Sequence, residues 1–275
     1  MTDPLAALRG TRTSALMYHD VLAASGEPSG FGDSGSQVYS VTAERYGQQL
    51  AGIAARVERP PVAAGDLLAP HPPADPWLIT FDDGGASAVA AGAALAARGW
   101  SGHFFVPTDF IGRAGFADAE QLRELAAQGH TIGSHSCSHP QRISACEPDE
   151  LLGEWTRSTA ILSELLAAPV TSASVPGGYY SPAVGRAAAA AGLTTLFTSE
   201  PVRSLDAIDG CLLIGRYAIR ATTPTRDVVS AAAGGTRPWL AQRASWSARR
   251  FAKRAGGRYY ERLRSRVLDR RRAGG

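Results

Sequence analysis

Two short strand-like segments of this chain, the first of them mostly apolar, are followed by residues that bear carboxylates or imidazoles, and this arrangement constrains the fold more than any other feature. These residues are Asp82 and Asp83 after the run 77–81, and His135 and His139 after the run 131–134. A short apolar run bounded by turn residues is typical of a buried strand. In parallel sheets, functional side chains lie where strands end at the carboxyl edge. The sequence therefore predicts an α/β fold in which these four side chains meet at one edge.

The four side chains supply the groups that a catalytic site for a divalent cation needs. An open zinc site uses three protein ligands and keeps one position for water. One carboxylate and two imidazoles provide three ligands, and the second carboxylate is free to take a proton from water. We expect one divalent ion, Zn²⁺, and the same ligand set also suits Co²⁺, Fe²⁺ or Ni²⁺.

Helical and strand-like segments alternate around these motifs, which favours a barrel of βα units. The chain has 275 residues, of which 44% are apolar, and a length of about 250 residues is common for one barrel domain. We expect residues 1–236 to form that domain. The predicted helices are 42–57, 86–98, 118–128, 148–167 and 182–191, and the predicted strands are 15–21, 77–81, 103–107, 131–134, 194–198 and 212–219.

The sequence TFDDG at 80–84, followed by HSCSHP at 135–140, resembles two motifs of the polysaccharide deacetylases, the NodB-homology proteins of carbohydrate esterase family 4. The resemblance covers roughly residues 12–220. It implies a distorted (β/α)7-type barrel and a metal-dependent hydrolase that removes acetyl groups from N-acetylated sugars. It also implies that Asp82 is the catalytic base and that Asp83, His135 and His139 are the metal ligands.

Two other motifs of that family are altered here. Ser174 stands where the family has an arginine that orients the base, and Arg216 stands where it has a histidine that acts as general acid. Arginine cannot donate a proton near neutral pH, because its pKa stays above about 12. We therefore expect Arg216 to orient Asp82 in place of the missing arginine. Gly177 permits a close backbone approach, so its loop is expected to offer an N–H to the developing oxyanion.

A different histidine must then protonate the leaving amine. His19 follows the predicted first strand, and its Tyr-His-Asp context is similar to that of poly-N-acetylglucosamine deacetylases, in which the histidine lies near the metal. We expect His19 to be the acid, with Asp20 helping to set its protonation. His103, at the start of a strand, is the second candidate. A purely structural histidine is the alternative for both positions.

Two further features are candidates for contact with substrate. Tyr179 or Tyr180 is placed to stack on a sugar ring, and a buried structural tyrosine is the competing interpretation. The segment 25–37 is rich in Gly and Ser around Phe31 and follows the strand of His19. It is either a lid over the site or an ordinary loop.

The charge of the chain is divided unevenly. Residues 1–236 carry 15 basic and 23 acidic residues, whereas 237–275 carry 13 basic and 2 acidic residues with interleaved aromatic side chains. Such a segment is typical of a helix that lies on an anionic membrane surface. The alternatives are that this tail packs on the acidic barrel or, without any supporting motif, that it binds nucleic acid.

The remaining features concern location. No apolar run is long enough for a membrane span, the N-terminus lacks a secretory signal, and the three cysteines form no disulfide framework. We therefore expect a cytoplasmic protein, peripheral on the membrane if the tail binds there, with a lipid-linked or nucleotide-linked N-acetylsugar as substrate. Two other functions stay open: hydrolysis of another C–N bond on the same fold, and a glycan-binding module that has lost catalysis.

Overall fold

A curved, largely parallel β-sheet forms the centre of the molecule. The computed structural model describes residues 5, 8, 11–22, 29–31 and 37–248. The strands are β1 (Ser14–Tyr18), β2 (Asp20–Leu22), β3 (Ser40–Thr42), β4 (Trp77–Phe81), β5 (His103–Val106), β6 (Thr131–Ser134), β7 (Ser172–Ser174), β8 (Thr195–Phe197), β9 (Asp206–Ile208), β10 (Cys211–Ile214) and β11 (Arg216–Ala218). The helices are α1 (Ala43–Ala54), α2 (Ala88–Ala96), α3 (Ala119–Ala127), α4 (Pro148–Leu166), α5 (Pro182–Ala190), α6 (Thr225–Ala232) and α7, which is helical from 236 through 248.

Nine strands form the main sheet in the order β11-β1-β4-β5-β6-β7-β8-β10-β9, and β2 and β3 form a separate parallel pair. All neighbours in the main sheet are parallel except β9, which pairs antiparallel with β10. The carboxyl ends of eight strands therefore face the same side. The predicted α/β barrel is confirmed, and its motif-bearing strands β4 and β6 flank β5.

The predicted strand 212–219 is wrong in one respect, because it is two strands interrupted at Gly215. β10 lies near one end of the sheet order and β11 at the other, although a single residue separates them in sequence. The sheet must therefore curl until its ends meet. A Cβ atom at Gly215 would lie 2.5 Å from the Val202 side chain and 2.6 Å from the Glu200 carbonyl oxygen, so only glycine fits at this closure.

Apolar side chains fill both faces of the sheet. Leu78, Phe105 and Phe197 belong to a cluster inside the barrel, whereas Ile79 and Phe104 pack in the layer between the sheet and the helices. Neighbouring residues of a strand point to opposite faces, so a strand buried on both faces appears as a continuous apolar run. This explains why β4 and β5 were recognisable from sequence.

The predicted helices are present, with ends that differ by a few residues from the expected ones. Side chains cap several of them: Thr42 accepts a hydrogen bond from the Arg45 N–H at the start of α1, and Asp118 and Gln121 form a reciprocal capping box on α3. α2 is followed by Gly99 with φ of 66°, a conformation that suits glycine after a helix.

The beginning of the predicted basic tail packs on the barrel. Trp239 of α7 is buried, its ring lies 5.6 Å from that of Tyr217, and its Nε1 donates to the Ala231 carbonyl oxygen. Gln242 bonds both the N–H and the carbonyl of Ala218 in the edge strand β11, and thereby satisfies groups that an edge strand leaves open. The packing alternative holds for these residues of α7. The rest of the tail, 249–275, lies outside the described residues.

Within the described residues, no helix is long and apolar enough to cross a membrane.

Candidate active site

Three predicted metal ligands converge at the carboxyl edge of the sheet. The Oδ1 atom of Asp83 lies 3.4 Å from His135 Nε2 and 3.5 Å from His139 Nε2, and one ligand atom of each residue lies within 4.8 Å of the others. We call Asp83, His135 and His139 the ligand cluster. Around a tetrahedral ion with bonds of about 2.1 Å, neighbouring ligand atoms are separated by about 3.4 Å.

Two further observations favour a cation at this cluster. The Nε2 atom of His139 is buried and has no hydrogen-bond partner among the described residues, a costly arrangement unless another group binds it. The Nδ1 atom of His135 faces the carbonyl oxygen of Ser174 at 3.0 Å, so Nε2 is left for the ligand role. Such a second contact commonly fixes the ring of a ligating histidine. The residues present therefore fit a divalent metal.

The backbone around the ligand cluster is held in uncommon conformations. Asp83, Ser136 and His139 have φ of 72°, 67° and 52°, and such non-glycine conformations persist when surrounding structure enforces them. Part of that enforcement comes from Glu154 of α4. Its buried carboxylate accepts the N–H of Cys137, the N–H of Ser138 and the hydroxyl of Ser138 at 2.8–2.9 Å.

Asp82 occupies a different environment from Asp83. Its Oδ1 and Oδ2 accept from Arg216 Nη1 and Nη2 at 2.6 and 2.7 Å, and Ser174 Oγ donates to Oδ1 at 3.1 Å. We call Asp82, Arg216 and Ser174 the base pocket. Arg216 is fully buried and is fixed by bonds from Nε to the Thr198 carbonyl oxygen and from Nη1 to Thr80 Oγ1. The guanidinium is thus placed to orient the Asp82 carboxylate.

Electrostatics keep both aspartates ionised. Burial alone would raise the pKa of Asp82, but the Arg216 and His135 charges outweigh it and lower that pKa below its ordinary value. Burial also opposes ionisation of Asp83, whereas the adjacent imidazoles of His135 and His139 bring its pKa well below the usual range. A carboxylate ligand and a carboxylate proton acceptor are both needed in the ionised form.

Ser174 joins the two groups of residues. Its Oγ lies 2.6 Å from His135 Nδ1 in addition to its bond with Asp82. Sequence reasoning recognised Ser174 only as the replacement for an arginine and did not identify Glu154 at all. The signal available for Glu154 was its position on the apolar face of α4, between Leu151 and Trp155. A glutamate on such a face is rarely buried without a partner.

His19 lies on the same edge, directly after β1. Its ring stacks on Tyr39 with centroids 4.5 Å apart, and its buried Nδ1 has no hydrogen-bond partner among the described residues. Burial lowers the pKa of His19, and the charges of Asp83 and Asp82 act in the opposite direction. The expected help from Asp20 is wrong, because the Asp20 carboxylate accepts from Ser29 and Ser87 and so fixes the loop.

His103 is not a candidate acid, which corrects the second expectation. It is 1% exposed, its Nε2 accepts from the Ala64 N–H at 2.9 Å, and its Nδ1 faces the Ile79 carbonyl oxygen at 3.3 Å. Burial lowers its pKa to about 4. Because His103 begins β5, it lies low in the barrel, away from the carboxyl edge. Its role is structural.

The remaining candidates line the edge without a defined catalytic contact. Gly177 has φ of 61° and is exposed, and its role towards an oxyanion stays a prediction. Tyr179 is half-buried with the Arg142 guanidinium 5.4 Å from its ring centre, whereas Tyr180 packs against the cluster around α5. Phe31 contacts the His139 ring, with centroids 4.4 Å apart, so part of the Gly/Ser-rich segment does approach the site.

Comparison with known proteins agrees with this geometry. The sequence model of a family described as polysaccharide deacetylase matches residues 69–196, the part of the chain that contains Asp82, Asp83, His135 and His139. Over these residues the chain is similar to polysaccharide deacetylases. This family supports carbohydrate deacetylation as the class of activity.

Solved structures of similar proteins confirm the fold. The Streptococcus pyogenes deacetylase PplD in complex with acetate is 19% identical, has a TM-score of 0.68, and is matched over 81% of this chain and 99% of its own. IcaB from Ammonifex degensii is 23% identical with a TM-score of 0.64, over 83% and 98% of the two chains. BC0361, a polysaccharide deacetylase from Bacillus cereus, is 18% identical with a TM-score of 0.68, over 81% and 69%.

A curated relative matches over a short segment. A gellan lyase from Bacillus sp. is 34% identical over 80 residues, which is 29% of this chain and 3% of that protein. The chain therefore spans only a small fraction of that relative's length, and the match contributes nothing about activity.

Proposed function

We propose that this chain is a metal-dependent carbohydrate N-deacetylase, which hydrolyses the acetamide of an N-acetylated sugar to acetate and an amino sugar. One observation carries the proposal: the ligand cluster lies directly beside an ionised carboxylate, Asp82, that Arg216 grips through both oxygens. A glycan-binding module has no need of an ionised carboxylate held beside a set of metal ligands.

Asp83, His135 and His139 would hold the metal. When bound, a divalent cation at such a site supplies Lewis acidity to a water molecule and to a carbonyl group. Zn²⁺ is our first choice, and Co²⁺, Fe²⁺ and Ni²⁺ suit the same nitrogen and oxygen donors.

Asp82 takes the proton from the attacking water. Its two oxygens are not equivalent, because Oδ1 accepts from both Arg216 and Ser174 whereas Oδ2 accepts only from Arg216 among the described residues. A carboxylate oxygen has two lone pairs for hydrogen bonds. We therefore assign the proton transfer to Oδ2, and we assign to Arg216 the task of holding that oxygen in a fixed direction.

His19 gives a proton to the departing amine. Its ring is held by stacking on Tyr39, and its Nδ1 is buried without a partner among the described residues, so substrate can supply the missing contact. A lowered pKa makes the protonated ring a ready donor, and the nearby carboxylates favour its protonation. Arg216 cannot take this role, because it stays charged at neutral pH.

The family match and the solved relatives support an N-acetylated carbohydrate as the substrate. The PplD structure contains acetate, the product of this reaction, and that supports an acetyl group as the part removed. Tyr179 and Phe31 at the carboxyl edge support a sugar as the ligand, since aromatic faces suit sugar rings. The tail 237–275, with 13 basic and 2 acidic residues, supports a lipid-linked substrate at an anionic membrane on the cytoplasmic side.

Release of acetate from oligomers of N-acetylglucosamine, measured with and without added Zn²⁺ or Co²⁺, tests the proposal. We expect metal-dependent acetate release that is lost in the Asp82→Asn variant. Binding of the oligomers without any acetate would instead identify a glycan-binding module. Release of ammonia or another product from non-sugar amides, with no acetate from sugars, would identify a different C–N hydrolase.

The contribution of the tail is tested separately by flotation with anionic vesicles. The full chain is compared with a chain that ends at residue 248. Equal flotation of both forms would remove the tail from the proposal and would leave the deacetylase assignment intact.

A further inference from the structure

A cavity lies at the opposite end of the barrel from the ligand cluster. It has a volume of about 200 Å³ and is lined in part by Arg12, Arg203 and Arg243. Arg12 precedes β1, whose residues Ser14 to Tyr18 pair in parallel register with β4, which leads into Asp82. The full length of a five-residue strand, about 16 Å, therefore separates this cavity from the catalytic edge.

The charge in this cavity is of one sign. Among the described residues, no acidic side chain lines it, and none of its three arginines forms an ion pair with a carboxylate. Burial and the nearby charge of Arg12 lower the pKa of Arg203, with Asp75 acting weakly in the other direction. The positive charges of Arg12 and Arg203 thus oppose each other, and a bound anion would relieve that opposition.

Arg203 is oriented as a binding group. Its Nη1 donates to the Gly234 carbonyl oxygen at 2.7 Å, whereas its Nε is buried without a hydrogen-bond partner among the described residues. A buried guanidinium N–H with no acceptor is costly. The Gly234 bond fixes the plane of the guanidinium, and the Nε donor lacks an acceptor that a ligand could supply.

Two other features of the cavity define the chemistry of that ligand. Helix α7 begins at Thr236, which lines the cavity, and the N-terminus of a helix directs backbone N–H groups and a partial positive charge at an anion. Trp239 and Leu240 of the same helix form an apolar wall, and Leu240 is 64% exposed. An anionic group of a ligand would contact the arginines and the helix N-terminus, and an apolar portion would contact Trp239 and Leu240.

We propose that this cavity binds a phosphate group carried on a molecule with an apolar portion. Guanidinium groups match the geometry of phosphate oxygens better than ammonium groups do. The site takes no part in the deacetylase reaction. It would attach the end of the barrel opposite the catalytic edge to a phosphate-bearing ligand. The phosphate group belongs either to a lipid headgroup or to a soluble organic phosphate.

Thermal unfolding of the full chain in inorganic phosphate, against chloride at equal ionic strength, tests the site. We expect a saturable rise in melting temperature for the native protein and for Arg186→Gln, an exposed arginine of α5. The phosphate Kd should weaken by about tenfold or more in Arg203→Gln and in Arg243→Gln, because each loses a charged hydrogen-bond donor. Arg243→Gln keeps the experiment decisive if loss of the Gly234 bond prevents Arg203→Gln from folding.

Two results would overturn the proposal. The first is the absence of any phosphate-specific stabilisation of the native protein. The second is the same Kd in the native protein and in both arginine variants, which would place the phosphate elsewhere, for example at the ligand cluster. If phosphate does bind here, flotation with phosphatidylglycerol vesicles distinguishes the source. If free phosphate reduces flotation of the native protein but not of Arg203→Gln, the ligand is a lipid headgroup. If free phosphate leaves the flotation of the native protein unchanged, the ligand is a soluble phosphate.

Discussion

Asp82 and Asp83 are consecutive residues, yet the base pocket and the ligand cluster treat them in opposite ways. Asp82 directly follows the buried strand β4 and points to a guanidinium inside the barrel, whereas Asp83 adopts φ of 72° and points to two imidazoles at the rim. Because of the positive φ at Asp83, the two adjacent carboxylates point to different partners. The role of each carboxylate is therefore set by its neighbours and not by its type.

The largest effect should come from Asp82→Asn. The amide cannot accept the proton from water, and general-base catalysis is commonly worth about 10²–10⁴-fold in rate. We therefore expect the rate of acetate release to fall by roughly a thousandfold. Asp75→Asn, in an exposed loop, is the matched control and should retain the native rate. A rate within a factor of about three of native for Asp82→Asn would remove Asp82 from the mechanism.

Arg216→Ala should break the base pocket and weaken the whole fold. The variant leaves the Asp82 carboxylate buried without its partner, and loss of one member of a buried ion pair costs about 3–5 kcal/mol. Urea unfolding measures this loss of stability, with Arg226→Ala, an exposed arginine of α6, as the control. An Arg216→Ala variant with native stability and native turnover would contradict both the packing role and the orienting role.

His103 provides a pH-dependent contrast with the site histidines. Its pKa is about 4 in the folded protein, whereas an unfolded histidine titrates near 6.5. As the pH falls from about 6.5 to 4, the unfolded chain therefore takes up a proton that the folded chain refuses, and stability is lost. We expect His103 to contribute about 3 kcal/mol to this loss. Unfolding free energies measured across this pH window check the prediction. The native protein and the exposed control His71→Gln should lose stability by the same amount, whereas His103→Gln should lose less.

The smallest effect is expected for Glu154→Gln. This change weakens the three hydrogen bonds that hold the loop between His135 and His139. Outer partners of metal ligands are commonly worth 10–100-fold in metal affinity, and we expect a loss of that size in a competition titration with a chelator. Glu164→Gln, exposed on the same helix, should bind metal as the native protein does. Equal affinity in both variants would show that the loop needs no such support.

The sequence predicted those parts of the site that are coded locally. Asp82 and Asp83 follow the apolar strand β4, and His135 and His139 follow the short strand β6. Parallel strands bring their carboxyl ends together without further information. Arg216 was predicted by the complementary loss and gain of an arginine in two motifs, and the structure places it against Asp82.

Other features depended on contacts between distant segments. Glu154 and Ser174 act through hydrogen bonds across the fold, which no local pattern encodes. His103 was misplaced because its strand was recognised but its depth in the barrel was not. The break at Gly215 was missed because the apolar pattern continues across it, and only the closure of the sheet requires two strands there.

The most direct test of the distinction between the two carboxylates is elemental analysis of metal per chain in native protein, Asp82→Asn and His139→Ala. We predict about one divalent ion in the native protein, the same content in Asp82→Asn, and its loss in His139→Ala. A native protein that holds no metal after incubation with Zn²⁺ or Co²⁺ would contradict the account. So would loss of metal from Asp82→Asn together with its retention in His139→Ala.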